Sequence, residues 1–203
     1  MMQEKKAIKI LKKDPKFIKI INQIGDYHIK ITKNRYQSLV EAIITQQLSG
    51  SAAKSIIRKF KRLYKSKFPK PIDVLRTPNS KLRLAGLSKM KIIYIKELSK
   101  KIESKQLNLR KISMQDDEQI IESLTDIKGI GRWTAEMFLI FSLGRLDILP
   151  VGDLGLKKAV QSMYSLKQLP KEEEIKQLAR PWKPYRTIAT WYLWKSLERF
   201  DTI

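Results

Sequence analysis

The sequence predicts an all-α protein, and three observations lead to that prediction. Apolar residues recur with the 3.6-residue period of a helix along almost the whole 203-residue chain. The only segment with strand-like alternation, YHIKIT at 27–32, is too short and too isolated to form a sheet. No low-complexity linker or internal repeat interrupts the helical pattern. We therefore expect about ten helices joined by short turns, arranged as two lobes that share a cleft.

Residues that start or stop helices divide the chain into its elements. A short amphipathic helix is expected at the N-terminus, and Gly25 is expected to end the helix that follows it. Ser88 and Ser113 are the expected N-caps of two later helices. In chain order we expect helices over 17–24, 35–48, 51–64, 78–85, 89–104 and 114–124, then near Arg132, after Asp153 and after Pro170.

The charge of the chain points to a polyanionic partner. Forty-two Lys and Arg face 20 Asp and Glu, a formal net charge of +22. Such an excess attracts nucleic acid, although a generally lysine-rich composition would produce the same number.

Other compositional features exclude several classes of protein. Without cysteine the chain has no disulfide, zinc–thiolate site or iron–sulfur cluster, and its lone histidine, His28, cannot build a His-based metal site or a Ser-His triad. No apolar run is long enough to span a membrane, and the N-terminus lacks the apolar core of a secretory signal. We expect a cytoplasmic protein, associated with the nucleoid if the organism is a prokaryote.

The motif IKGIG, at 127–131, predicts a turn between two helices that binds an anion. Glycines at 129 and 131 permit backbone angles closed to other residues and a close approach of another backbone. The first N–H groups of the next helix have no partner within that helix, and Lys128 and Arg132 add positive charge. DNA phosphate fits such a site. An ordinary helix–helix turn that happens to contain glycines remains the alternative.

Four segments together carry a resemblance to a known family. They are IKGIGRWTA at 127–135, LPVGDL at 149–154, EAIITQQLSGSAAKSI at 41–56 and RPWKPYRTIATWYLW at 180–194. Taken in their order along the chain, they resemble the helix-hairpin-helix (HhH-GPD) DNA glycosylases, most of all the alkylation-repair branch of the AlkA and Mag type. The resemblance implies a two-lobed helical fold without the N-terminal β domain of larger bacterial members. One lobe would span 37–149, and 1–36 with 150–203 would form the other, with the DNA and base cleft between them.

The resemblance implies a monofunctional DNA-3-methyladenine glycosylase of base excision repair. Its substrate would be double-stranded DNA containing alkylated bases, 3-methyladenine and 7-methylguanine among them, and its product an abasic site. Asp153 falls where the family has its catalytic aspartate; from the residues alone, capping of the following helix is an equal alternative. One carboxylate suits the reaction, because breaking the glycosidic bond builds positive charge on the sugar.

The same resemblance assigns roles to other residues. The base pocket would contain Trp133, Trp194, Met137 and Leu154. Core packing is the alternative for the two tryptophans, whereas Trp182 and Trp191 are expected in the core. Bifunctional relatives carry a lysine where this chain has Trp133, and larger bacterial enzymes tend to carry tyrosines where it has Met137 and Leu154.

Contacts with DNA follow from the resemblance as well. Phosphate would be bound by Lys128, Gly129, Gly131, Arg132 and Thr134. Leu48 is the first choice for a wedge that fills the space left by a flipped nucleotide, and Gln47 the second. Backbone carbonyls of Thr125, Ile127 and Ile130 would hold a structural Na⁺ or K⁺, and no other cofactor is required. We expect a monomer.

Two other functions compete with this interpretation. A non-catalytic helix-hairpin-helix DNA-binding accessory protein would use the hairpin without Asp153 and its aromatic neighbours. An RNA-binding translation factor would use the positive charge alone and show no preference for abasic DNA.

Overall fold

The computed structural model describes residues 2–48 and 50–200, which form helices and turns without a strand. The prediction of an all-α protein is therefore confirmed for this part of the chain. Residues 27–32, the segment with strand-like alternation, have no regular secondary structure. Ser49, in the expected turn before the helix at 51–64, lies outside the described residues. Within the described residues, no helix has the length and apolar character needed to cross a membrane.

The described residues contain twelve α-helices, against about ten expected. In chain order they are α1 (Met2–Leu11), α2 (Pro15–Ile24), α3 (Arg35–Thr45), α4 (Gly50–Arg62), α5 (Pro71–Arg76), α6 (Asn79–Leu84), α7 (Lys89–Glu103), α8 (Asp117–Thr125), α9 (Arg132–Phe141), α10 (Leu154–Tyr164), α11 (Glu172–Leu178) and α12 (Arg186–Phe200). Short 3₁₀ turns cover Ile112–Met114 and Arg180–Trp182. Helices α5 and α12 are not among the expected helices; α5 has only six residues, too few to show a helical period.

Of the three residues expected to cap or end a helix, two are confirmed and one is wrong. Ser88 caps α7 by accepting a hydrogen bond from the Lys91 amide at 3.3 Å, and Gly25 ends α2 with φ of +85°. Ser113 does not cap α8; Asp116 does. The Asp116 amide donates to Gln119 Oε1 at 3.1 Å, which forms the reciprocal capping box that a lone serine lacks.

Contacts divide the chain into two compact units, of which one is continuous in sequence, Thr32–Phe138. Helix α7 packs against α3, α5 and α6 in this unit. The face of α3 expected from its period, Leu39, Ile43 and Ile44, is fully buried. The Tyr36 hydroxyl, on the same helix, lies 2.6 Å from Ser99 Oγ of α7. A central helix that contacts three others can hold several turns of this unit in register.

The other unit combines Met1–Ile31 with Leu139–Ile203, so the boundary falls inside α9. Helix α12 packs against α1, α2 and α10 around an apolar core. Trp182 packs edge to face against Phe17 with ring centroids 5.4 Å apart, and Trp191 packs in the same way against Tyr27 with centroids 5.2 Å apart. Both tryptophans are buried, as expected. The lobes implied by the resemblance, 37–149 and 1–36 with 150–203, stay a prediction.

Candidate functional site

The two hairpin glycines, between α8 and α9, have different structural roles. Gly129 has φ of +85°, and a β-carbon there would lie 2.1 Å from a ring carbon of Tyr94. Position 129 therefore requires glycine for both its backbone angle and its packing. A β-carbon at Gly131 would meet no atom within 4 Å. The second glycine leaves open space, as close approach of another molecule requires.

The hairpin exposes part of the expected phosphate-binding set. Helix α9 begins with the Ala135 amide donating to the Gly131 carbonyl at 3.1 Å. The start of a helix in general points its first N–H groups outward, where an anion can bind. Lys128 is exposed beside this turn. Thr134 is only 6% exposed, so it offers little surface to a phosphate.

Arg132, expected to bind phosphate, forms hydrogen bonds with two acidic side chains of the protein itself. Its guanidinium donates to both Glu118 oxygens, at 3.0 and 2.7 Å, and to Glu136 at 3.2 Å. The hydrogen bond from Arg132 lowers the pKa of Glu118, and the same bond raises the pKa of Arg132. The positive charge of Arg132 is thus partly offset within the protein.

The expected cation ligands are backbone atoms of the same hairpin. The Ile130 amide donates to the Ile127 carbonyl oxygen at 3.0 Å, which leaves that oxygen a second lone pair. No cluster of His, Cys, Asp and Glu in the described residues could hold a metal ion. Carbonyl oxygens suit Na⁺ and K⁺, so the donor set of Thr125, Ile127 and Ile130 is compatible with such an ion.

Trp133 and Met137 lie one helical turn apart on α9, on the same face of the helix. The Trp133 side chain is 49% exposed, which excludes the alternative that it is a core residue. Met137 is half-buried. Trp133 therefore presents part of its surface in the first turn of the helix that follows the glycine hairpin.

The expected wedge residues follow the end of α3. This helix ends at Thr45, three residues before the expected end, because the backbone leaves the helical conformation at Gln46, with ψ of 130°. Gln47 then adopts a left-handed conformation with φ of +57°. The Gln47 side chain is exposed, and Leu48 is 37% exposed. Their exposure is compatible with insertion into DNA.

Asp153 is the N-cap of α10, and its carboxylate also contacts an aromatic side chain. Oδ1 accepts one hydrogen bond from the Leu156 amide at 2.7 Å and another from Trp194 Nε1 at 2.8 Å. The capping alternative is therefore confirmed as a structural role. It does not oppose a catalytic role, since both contacts fix the orientation of a half-buried carboxylate. Asp153 and Trp194, 41 residues apart in sequence, are brought together by the fold.

Two residues that the sequence reasoning missed complete this arrangement. A β-carbon at Gly155 would lie 3.0 Å from Asp153 Oδ1 and 3.2 Å from a Trp194 ring carbon, so glycine makes room for their contact. Phe141 stacks on Trp194 with ring centroids 6.1 Å apart. For Gly155 the sequence did contain a signal: a glycine in the first turn of a helix weakens that helix, which indicates that the position has another role. Leu154, expected in the pocket, is 55% exposed.

The loop that leads to Asp153 is anchored by the first turn of α12. Asp147 accepts hydrogen bonds from the Arg186 backbone amide at 3.1 Å and from its guanidinium at 2.8 and 2.9 Å. The Thr187 amide donates to the Leu146 carbonyl at 3.0 Å. The first turn of α12 thus holds the loop at residues 146 and 147. Two turns later on the same helix, Trp194 holds Asp153 by a hydrogen bond.

Comparisons with known proteins agree with this geometry. A family model described as HhH-GPD superfamily base excision DNA repair protein matches residues 40–184. The alkylbase DNA glycosidase-like protein mag2 of Schizosaccharomyces pombe is 41% identical over 79% of this chain and 76% of its own.

Solved structures show the same fold. One of 3-methyladenine DNA glycosylase (Mag1) from the same yeast, in complex with abasic DNA, superposes with a TM-score of 0.86 at 32% identity, over 95% of this chain and 97% of that one. A DNA-3-methyladenine glycosidase from Bacillus halodurans has a TM-score of 0.87 at 38% identity, over 95% and 89%. The chain therefore belongs to the HhH-GPD superfamily of base excision DNA repair proteins.

Proposed function

We propose that the protein is a monofunctional DNA glycosylase that removes alkylated purines, 3-methyladenine and 7-methylguanine among them, from double-stranded DNA. The product is a strand with an abasic site. The observation that carries the proposal is the carboxylate of Asp153, oriented by Leu156 and Trp194 at the N-terminus of α10 in a chain whose relatives are named for this activity.

Asp153 acts on the sugar, where positive charge develops. As the bond from C1′ to the base nitrogen breaks, its electron pair leaves with the base, and the sugar becomes an oxocarbenium-like cation. A fixed carboxylate opposite C1′ stabilises that cation more than it stabilises the substrate. Water then adds its oxygen to C1′ and gives up a proton, which Asp153 accepts as a general base.

The alkylated base needs no separate general acid. It carries a positive charge before cleavage, and the electron pair of the broken bond neutralises it. An aromatic face favours such a cation by about 0.5–2 kcal/mol, which is the role we assign to Trp133, with Trp194, Met137 and Leu154 as further pocket residues. Trp133 occupies the position of the lysine that attacks C1′ in bifunctional relatives, so no residue is assigned to strand cleavage.

Phosphate binding at the hairpin and a wedge complete the proposal. Backbone amides at the start of α9, with Lys128 beside them, bind one phosphate without reading sequence. Carbonyls of Thr125, Ile127 and Ile130 would hold a Na⁺ or K⁺ ion, which would add positive charge to that site. Leu48, with Gln47 beside it, fills the space that the flipped nucleotide leaves.

Removal of one acid at the hairpin is expected to strengthen DNA binding. Glu118→Gln leaves Arg132 with Glu136 as its acidic partner and removes an exposed negative charge. Affinity for duplex DNA should rise about two- to fivefold at low salt, the range of an exposed ion pair, and the gain should shrink as salt is added. Fluorescence anisotropy across a salt series measures this. Glu173→Gln, which breaks the exposed pair with Lys176 on α11, is the matched control. Equal affinities for Glu118→Gln and wild type would remove Arg132 from the phosphate site.

Base release from methylated DNA tests the proposed function directly. DNA treated with a methylating agent is incubated with the protein, and mass spectrometry identifies the released bases. We expect 3-methyladenine and 7-methylguanine, with strands that break only after alkaline treatment. Strand breaks at neutral pH would contradict the monofunctional assignment. Binding to abasic DNA without release of any base would favour the non-catalytic accessory protein.

A further inference from the structure

One face of α7 contacts the two turns that we propose to contact DNA, namely the turn after α3 and the hairpin between α8 and α9. Lys91, Tyr94 and Glu97 follow one another at intervals of three residues, so they share a face of the helix. All three side chains are half-buried. Each contacts a different point on the turn after α3 or on the hairpin between α8 and α9.

The first contact is with the wedge turn, which we define as residues 45–48. Lys91 Nζ donates to the carbonyls of Ile44 and Gln46, both at 2.8 Å. These carbonyls lie at the C-terminal end of α3, where helix carbonyls lack partners and a cation is favoured. Burial lowers the pKa of Lys91, which is the cost of placing the ammonium group there. This lysine caps a helix end, in contrast to the exposed Lys128.

The other two contacts are with the hairpin. The ring of Tyr94 occupies the space where a β-carbon of Gly129 would stand. Glu97 Oε1 accepts a hydrogen bond from the Lys128 amide at 3.3 Å.

A direct bond then joins the two turns, since Gln46 Nε2 donates to the Gly129 carbonyl at 2.7 Å. The wedge turn and the hairpin therefore touch each other, and both rest on the same side of α7. Gln46 and Gly129 are 83 residues apart in the chain, so tertiary contacts such as these set the distance between the two turns.

We propose that Lys91, Tyr94 and Glu97 of α7, together with Gln46, are positioning residues that hold the wedge turn and the hairpin as one rigid unit. Binding of a phosphate at the hairpin then places Leu48 in register with the nucleotide to be extruded. None of the four needs to touch the reacting atoms. This inference rests on the proposed function, because it assigns the wedge turn to nucleotide flipping.

Lys91→Met tests the proposal, since it keeps the length of the side chain and removes both hydrogen bonds. Lys96→Met is the matched control: it lies on the same helix and loses one similar bond, from Nζ to the Thr77 carbonyl at 2.9 Å, which does not involve the wedge turn. Two rates are measured for each: nucleotide flipping, by fluorescence of 2-aminopurine beside the lesion, and single-turnover release of 7-methylguanine. Each is measured with the lesion paired and with the lesion opposite an abasic site, where flipping costs less.

We expect both rates of Lys91→Met to fall about ten- to a hundredfold on the paired lesion. A misplacement of the wedge by about 1 Å is enough to cause a loss of rate of that size. The loss should shrink to within about twofold on the unpaired lesion, and affinity for undamaged duplex should stay within about twofold of wild type. Lys91→Arg should restore flipping, since a guanidinium also donates to two carbonyls.

Other outcomes separate the possible failures. Wild-type flipping by Lys91→Met, or equal losses in Lys91→Met and Lys96→Met, overturns the proposal. If Lys91→Met lowers the melting temperature, Gln46→Leu, which removes only the bond to the hairpin, must reproduce the loss specific to paired lesions, and its failure to do so also overturns the proposal. If wild type flips nucleotides but releases no base, the proposed glycosylase activity fails while the positioning role is still measured by fluorescence.

Discussion

Asp153→Asn is expected to reduce base release by roughly 10²–10⁴-fold, the range for loss of a general base or a charge-stabilising group. Asparagine keeps the shape of the side chain and is a good N-cap. Its Oδ1 can accept the same hydrogen bonds from Leu156 and Trp194, so the fold and the geometry of the loop should persist. What disappears is the negative charge opposite C1′.

Two measurements check this result. Single-turnover release of 7-methylguanine reports the chemical step, and affinity for abasic DNA reports binding, which should be unchanged or tighter because a negative charge near DNA has been removed. Asp116→Asn, the same change at the N-cap of α8, is the matched control and should retain wild-type release. If Asp153→Asn releases base at the wild-type rate, Asp153 is a cap and nothing more.

Alanine at the two hairpin glycines is expected to produce opposite kinds of defect. Gly129→Ala places a β-carbon 2.1 Å from the Tyr94 ring at a positive φ, so the protein must distort. We expect a loss of roughly 2–5 kcal/mol of unfolding free energy from the backbone strain and the overpacking together. For a chain of this size that corresponds to a fall of about 5–20 °C in melting temperature.

Gly131→Ala meets no atom within 4 Å and has no positive φ, so its melting temperature should match wild type within about 2 °C. Its added methyl group stands where a DNA backbone would approach. We expect affinity for duplex to fall about tenfold, with a weaker dependence on salt because a phosphate contact is lost. Thermal unfolding and anisotropy together separate the two variants. Wild-type DNA affinity in Gly131→Ala would show that the hairpin does not bind phosphate.

Local patterns in the sequence were sufficient for most of the fold. The period of α3 correctly places Leu39, Ile43 and Ile44 in the core, and Ser88 correctly begins α7. These features depend on residues within one or two helical turns of one another, so they can be read without the rest of the chain. The wrong boundary, Ser113 in place of Asp116, arose because two cap signals lay close together and the capping box with Gln119 was overlooked.

The sequence predicts which residues belong to the candidate site, but not the contacts that these residues make with one another. Asp153, Trp194 and the hairpin glycines were named from motifs, and their roles in binding and catalysis stay predictions. The contact of Arg132 with Glu118 could not be predicted from the local sequence, because Glu118 lies 14 residues earlier on another helix. Nothing in the local sequence marked Lys91 as the cap of α3, which it reaches across 47 residues.

The identities of the side chains and their helical spacing set the all-α class, the glycine turn between α8 and α9 and the acid at the start of α10. These depend on backbone stereochemistry and on short-range hydrogen bonds. The tertiary structure alone decided three features. They are the contact between Trp194 and Asp153, the space that Gly155 leaves for it, and the contacts of α7 with the wedge turn and the hairpin. They join residues that are distant in sequence, and such pairs meet only where burial of the apolar faces of the helices brings them together.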